Sequence, residues 1–179
     1  MRKWEKYGAI LADPPWNWKA WSKKGEAKSA SQHYSLMTLD DVKQMQISSM
    51  AATDCALFLW AIDSMLPQAL EVIDAWGFTF KTVAFTWVKQ TKDRKGFPIG
   101  TGYWTRANPE MCLFATRGKP KRLDRGVRQV ILDVRRQHSR KPDVIYERIG
   151  KLVCGPYMEL FARQQWPGWD CLGDEVDKF

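Results

Sequence analysis

A short apolar run, Tyr7 to Ala12, ends in Asp13-Pro14-Pro15-Trp16. Consecutive prolines lack backbone N–H donors and fix φ, so neither a sheet ladder nor a helix continues through them. The run reads as a buried strand that stops at Asp13, and the Asp13 side chain is held at a strand end. The next segment, Asn17 to Ser35, is polar and rich in Lys, Ser and Trp without a sustained period. It reads as a long loop, and loops of that length in a compact domain are usually functional.

Downstream, the pattern alternates between strands and helices. Thr38 offers an N-cap followed by Asp40 and Asp41, and Val42, Met45 and Ile47 supply an apolar face. Strands are expected at Ala56–Ala61, Lys81–Lys89, Glu110–Thr116, Gln129–Val134 and Tyr157–Ala162. Helices are expected at Pro67–Trp76, closed by Gly77, and at Asp143–Val153, where Val144, Ile145, Ile149 and Leu152 share a side. The segment from Gly96 to Asn108 is glycine-rich and irregular, and a polar tail carrying tryptophans runs to Phe179. Strands separated by helical segments imply an α/β fold with a mostly parallel sheet covered on both faces, in a single domain over residues 1–179. Such sheets bind ligands outside the carboxyl ends of their strands. Asp13 and Ala162 both stand at such ends.

Composition narrows the partners. Lys and Arg total 28 against 20 Asp and Glu, giving a net charge of +8 that favours a polyanion, nucleic acid above all. The longest wholly apolar run, Cys55 to Ile62, is far short of the ~20 residues that span a bilayer. With no signal-peptide pattern at Met1, a cytoplasmic setting is expected. Four scattered cysteines and two histidines argue against a metal site.

Asp13-Pro14-Pro15-Trp16 offers a particular chemistry. An exocyclic amine such as that of adenine is a poor nucleophile because its lone pair is delocalised into the ring. Acceptors that hydrogen-bond both amine hydrogens localise the lone pair and stabilise the positive charge that grows on alkylation. The Asp13 carboxylate and the Pro14 carbonyl can form that pair, with Pro15 limiting backbone freedom and Trp16 offering a surface for the base. A base inside a duplex is out of reach, so the target must be single-stranded or flipped out. A Pro-Pro pair also punctuates ordinary turns. Its place after an apolar strand, beside a basic loop with Trp18, Lys19 and Trp21, favours the chemical reading.

At this point the sequence resembles the family named for the seventy-kilodalton (MT-A) subunit of the mRNA adenosine methyltransferase, which has bacterial and phage members. The likeness is carried by Ala12-Asp-Pro-Pro-Trp16, His33-Tyr34-Ser-Leu-Met-Thr38, Phe58-Leu-Trp60, Trp87-Val-Lys89 and Asn108-Pro-Glu-Met-Cys-Leu113. It continues through Ser139-Arg-Lys-Pro142, Glu159-Leu-Phe-Ala-Arg163, Gly168-Trp169 and Leu172-Gly173. The resemblance implies a Rossmann-like class I methyltransferase fold in permuted order, catalytic strand first and cofactor strand last. It implies S-adenosylmethionine as cofactor, S-adenosylhomocysteine as product, and methylation of the adenine N-6 amine in nucleic acid. DNA is expected ahead of RNA. Methylation of RNA adenosine or of a cytosine amine, and a noncatalytic binding member, stand as alternatives.

Carried over residue by residue, Asp13, Pro14, Pro15 and Trp16 hold the amine, and Asp13 and Pro14 also touch the cofactor. Lys141 sits beside the methionine part, while Glu159, Phe161 and Arg163 line the adenosine end and Asp174 and Glu175 face the ribose. Tyr34 belongs to the loop that covers the base, and Glu110 helps position the substrate. Two departures stand out: Gln165-Trp166 replaces a His-Asn pair, and Asp174-Glu175 replaces Asn-Gln. A homodimer or a partner protein is a further expectation.

Other residues divide by setting. Trp60, Trp76 and Trp87 lie in or beside apolar runs and are expected in the core. Trp16, Trp18, Trp21 and Trp104, in polar loops, are candidates for touching a base, and His33 is a candidate proton acceptor. Two basic clusters, Arg117 to Arg125 and Arg135-Arg136 to Lys141, are expected to contact phosphates, Arg136 among them.

Overall fold

The computed structural model describes residues 6–16, 37–100, 102, 104–137 and 139–179. Trp18, Lys19, Trp21, His33, Tyr34 and His138 lie outside the described residues.

Seven strands form one sheet: β1 (Tyr7–Ala12), β2 (Ala51–Ala61), β3 (Thr79–Gln90), β4 (Glu110–Arg117), β5 (Val130–Val134), β6 (Tyr157–Leu160) and β7 (Trp169–Leu172). Their order across the sheet is β5-β3-β4-β2-β1-β6-β7. β1 pairs in parallel with β2 and β6, β6 with β7, and β3 with β5. β4 alone runs the other way, antiparallel to both β2 and β3. The chain leaves β1 toward β2 on one side and leaves β6 toward β7 on the other. Their shared carboxyl end is therefore the point where strand order reverses.

Helices cover the two faces unequally. The first face carries α1 (Leu39–Gln44), α2 (Ile47–Met50) and α3 (Leu66–Ala75), and the second carries α4 (Val144–Leu152). Strand alternation sorts β1 between them. Ile10 and Ala12 pack with Val42, Ile47, Val72 and Trp76, whereas Ala9 and Leu11 pack with Ile145, Tyr146 and Ile149. Trp60, Trp76 and Trp87 are all buried, and the Trp76 indole N–H donates to the Val42 carbonyl at 2.8 Å, tying α1 to α3.

Local chemistry sets the helix ends. The Thr38 hydroxyl accepts the Asp41 N–H at 3.1 Å, while Asp41 accepts the Thr38 N–H at 3.2 Å, a reciprocal cap for α1. Pro67 stands in the first turn of α3, where a missing donor costs nothing. At the other end of α3, Gly77 adopts φ 79°, a conformation disfavoured for residues with a Cβ. The N–H groups of Gly77 and Phe78 then close onto the Asp74 and Ile73 carbonyls.

Three features differ from the sequence expectation. β2 begins at Ala51 rather than Ala56, because pairing runs past its apolar half, to Arg117 of β4 at Cys55 and to Tyr7 of β1 at Ala51. β6 stops at Leu160, since Phe161 takes a left-handed φ of 61° and turns the chain out of the sheet. β7 is an additional strand within the expected polar tail; its alternately half-buried and exposed residues give it little apolar signature. No helix among the described residues is long and apolar enough to cross a membrane.

Candidate active site

Strand direction gathers the functional side chains along one edge. Ala12 registers against Leu59 of β2 and Leu160 of β6, and Leu160 against Leu172 of β7. Asp13, Phe161 and Gly173 are thus consecutive exits from adjacent strands. Because β4 is reversed, Glu110 at its start lies on this same edge, beside Trp87 near the exit of β3. Arg117, at the end of β4, lies at the opposite edge, opposite Cys55.

A chain of alternating charges crosses the edge. Lys141 Nζ lies 2.8 Å from Asp13 Oδ2 and 3.2 Å from Glu110 Oε2, and Lys89 Nζ lies 2.6 Å from Glu110 Oε1. The Lys141 ammonium also sits 5.4 Å from the centroid of the buried Trp60 ring, which favours the cation. Burial opposes the Glu110 charge, but the two lysines outweigh it and bring its pKa down to about 2. Burial likewise opposes the Lys141 charge, yet Asp13 and Glu110 raise its pKa above the usual lysine range. Both groups are therefore ionised at neutral pH.

Asp13-Pro14-Pro15-Trp16 is fixed by its own backbone. Asp13 N–H reaches the Leu160 carbonyl at 3.5 Å, and Trp16 N–H donates to the Pro14 carbonyl at 2.8 Å, closing a three-residue turn. A carbonyl has two acceptor positions, so this turn occupies one on Pro14 and leaves capacity for a second donor. Trp16 corrects an expectation. Its side chain is 5% exposed, packs in the core on the face of α1 to α3, and donates its indole N–H to the Trp60 carbonyl at 3.0 Å. It anchors the turn from below and offers no open ledge here, because a large ring beside two strand ends gains more by filling the core than by facing water.

Beside Asp13 opens a cavity of about 260 Å³ lined by Asp13, Pro15, Phe161, Ala162, Arg163, Asp174 and Glu175. Five residues expected at a cofactor, Asp13, Phe161, Arg163, Asp174 and Glu175, thus share one wall. Arg163 Nε pairs with Glu175 Oε2 at 3.3 Å, joining the turn after β6 to the turn after β7. The two turns touch closely: a Cβ on Gly173 would fall 2.6 Å from the Ala162 nitrogen and closer still to its carbonyl oxygen. Only glycine lets these backbones pass.

Glu159 points to the α4 face. Its Oε2 accepts the Tyr146 hydroxyl at 2.8 Å. Burial, with help from Asp13, raises its pKa to about 7 against the hydrogen bond from Tyr146 and the charge of Lys141. From Tyr146 a polar line continues: Gln164 Nε2 donates to the Tyr146 hydroxyl at 3.3 Å and to Asp143 at 3.1 Å. Arg136 then grips both Asp143 oxygens, at 2.6 and 2.9 Å, and the Lys141 carbonyl at 2.7 Å. Arg136 accordingly braces the segment that presents Lys141. Arg117, where the other basic cluster begins, stands at the edge away from the cavity because β4 is reversed.

Among the expected residues, the structure brings together Asp13, Pro14, Pro15, Lys141, Glu110, Phe161, Arg163, Asp174 and Glu175. Glu159 lies beneath them, and Trp104 stands apart, fully exposed on the loop between β3 and β4. Lys89, Tyr146, Asp143 and Gln164 were not anticipated. A signal for Lys89 was present: residues 91–109 join two strand patterns without a helix, and a connection lacking a crossover helix favours antiparallel neighbours. That pairing puts the end of β3 against the start of β4.

A mostly parallel sheet, a cavity at its switch point and a fixed Asp-Pro-Pro-Trp turn define a methyltransferase of the Rossmann-like α/β class. The chain belongs to the MT-A70 family, whose model matches residues 7–175. It is 33% identical over 190 residues to the Type II methyltransferase M.MunI of a Mycoplasma species, an alignment covering 96% of this chain and 78% of that protein. It is 29% identical over 177 residues to the human N(6)-adenosine-methyltransferase catalytic subunit METTL3, covering 96% of this chain and 28% of that protein. Against the MT-A70-like N(6)-adenosine-methyltransferase of Arabidopsis thaliana the identity is 28%, over 96% of this chain and 24% of the relative. The chain therefore spans about a quarter of the length of these adenosine-named relatives.

Proposed function

We propose that the protein transfers the methyl group of S-adenosylmethionine to the N-6 amine of adenine in a nucleic acid, DNA ahead of RNA. The observation that carries this reading is the double membership of Asp13: it lines the cavity and is also held by Lys141. One carboxylate thus lines the place proposed for the cofactor while Lys141 sets its charge and orientation.

The cavity residues fit that cofactor by their chemistry. Asp174 and Glu175 offer acceptors to ribose hydroxyls, Phe161 an apolar surface, and Arg163 a planar cation. When bound, S-adenosylmethionine supplies an electrophilic methyl carbon. Lys141 holds Asp13 Oδ2, so Oδ1 can accept one amine hydrogen while the remaining capacity of the Pro14 carbonyl takes the other. Positive charge growing on the nitrogen is stabilised by these oxygens, which need little reorganisation because Lys141 holds the Asp13 carboxylate and the prolines restrict the backbone that carries the Pro14 carbonyl. The proton lost after transfer goes to water.

The relatives support the substrate. Those named for N(6)-adenosine match this chain over nearly its whole length, whereas most of their own length lies outside the match. The Type II methyltransferase is matched over most of both chains, and for that reason DNA is set ahead of RNA. Incubation with S-adenosylmethionine and either DNA or RNA, followed by mass spectrometry of the nucleosides, tests the reading. N6-methyldeoxyadenosine is expected. N6-methyladenosine in RNA alone would select the second reading, and a methylated cytosine, or no product with Asp13 intact, would overturn adenine.

A further inference from the structure

The loop between β3 and β4 is rooted at the active-site edge and displays three large apolar side chains to solvent. Phe97 is 61% exposed, Ile99 76% and Trp104 101%. The loop has a firm base. Asn108 accepts the Lys89 N–H at 3.0 Å, donates to the Lys89 carbonyl at 3.1 Å and to the Pro98 carbonyl at 2.8 Å, while Gly100 N–H meets the Ala107 carbonyl at 2.8 Å. These bonds bind the two limbs into a hairpin directly above the Lys89–Glu110 pair. A structured projection that spends apolar surface on water marks a place of contact.

Charge selects the occupant. Lys92, Arg94, Lys95 and Arg106 are exposed on the same loop. Against them stands Asp93, whose carboxylate is engaged by the Thr91 hydroxyl and the Lys95 N–H. A second copy meeting this surface through the same loop would set cations against cations. A duplex supplies what both parts of the loop lack: phosphates for the cations, and stacked bases between which aromatic and branched side chains can wedge. The adenine site makes this pairing useful, since an amine within a duplex is unreachable until its base leaves the stack.

We propose that this hairpin is a strand-opening wedge: Phe97, Ile99 and Trp104 enter the base stack of a double-stranded substrate and fill the space vacated by the flipped adenine, while the flanking cations hold the backbone. The proposal rests on the adenine reading above for its purpose. It adds a preference for duplex that the site itself does not require.

The test compares wild-type protein with the Phe97→Ala/Ile99→Ala and Trp104→Ala variants on duplex and single-stranded oligonucleotides of one sequence. Methyl transfer is followed on oligonucleotides with adenine at the target position, and base exit separately by the fluorescence of the same sequences carrying 2-aminopurine there, which lacks the N-6 amine and reports on flipping alone. Wild type is expected to raise duplex fluorescence on binding, and the variants to lose most of that rise. The ratio of duplex to single-strand kcat/KM should fall at least tenfold in the variants, and Trp104→Phe should restore much of it. An unchanged ratio with unchanged fluorescence overturns the wedge, as does a wild type that binds no duplex. A dimer that Trp104→Ala dissolves in sedimentation would show that the loop serves a protein contact and would equally overturn it. Should neither strand form be methylated, the adenine reading fails, whereas the fluorescence arm still reports on the wedge.

Discussion

Lys141 Nζ lies 2.8 Å from Asp13 Oδ2, although the two residues are 128 positions apart in sequence. The first strand delivers one partner, and the segment entering α4 the other. Glu110 completes the arrangement from the reversed strand β4, at 3.2 Å from the same ammonium. The carboxylate at the strand end is thereby held in one orientation as well as charged.

Asp13→Ala removes the acceptor and is expected to lower kcat by about 10²- to 10³-fold, the usual cost of losing one preorganised polar contact to a developing charge. Asp13→Asn keeps an acceptor oxygen without the charge and should fall between the two. Radiolabelled methyl transfer measures both. An Asp13→Ala protein that turns over at the wild-type rate would remove Asp13 from the chemistry.

Lys141→Met leaves Asp13 and Glu110 facing each other without their shared cation. Breaking a largely buried pair by removing one partner costs several kcal/mol, here about 2–3 because the lysine retains some solvent contact. Urea unfolding at neutral pH reads the loss. In the Lys141→Met/Asp13→Asn protein part of the stability should return, since the carboxylate that lost its cation is gone while Glu110 keeps Lys89.

The two glutamates predict opposite pH slopes. Glu110 has a folded pKa of about 2 against an ordinary 4.5, so its stabilisation is complete above 4.5 and is lost as pH falls from there through 2. Glu159 has a folded pKa of about 7 against 4.5, so between those values the folded state holds the extra proton and stability declines as pH rises. Glu159 is faced by Tyr146 of α4, Cys171 of β7, Asp13 and Lys141. Unfolding midpoints between pH 2 and 8 should lose the acid slope in Glu110→Gln and the near-neutral slope in Glu159→Gln.

Trp16→Ala should destabilise the fold by about 3–5 kcal/mol, the range for emptying a large buried aromatic site. Trp16→Phe keeps most of the packing and loses the hydrogen bond to the Trp60 carbonyl, so it should fold and retain most of its turnover. Thermal melts alongside methyl transfer distinguish this from a role in stacking the base, for which Trp16→Phe would raise KM without a matching fall in stability.

Much of the site was legible because its chemistry is written in short local strings. Asp13-Pro14-Pro15 announces a carboxylate at a strand end because consecutive prolines stop the pairing, and Thr38 with Asp41 announces a helix start. Five residues carried over by resemblance fall on one cavity wall. The burial of Trp16 and the bracing bonds of Arg136 were not legible, since a tryptophan in a polar string and an arginine in a basic one give no hint of a distant carbonyl or carboxylate that will claim them. Lys89 was passed over because its partner is set by the direction of β4, and β7 because a half-buried edge strand lacks an apolar pattern.

The sequence by itself determined which backbone segments could pair or coil, where the first strand must end, and which charges were available. Tertiary structure decided which charges meet. Reversing a single strand brought Glu110 to the edge occupied by Asp13 and sent Arg117 to the other end of the sheet, a choice that depends on long-range pairing and leaves no trace in local composition.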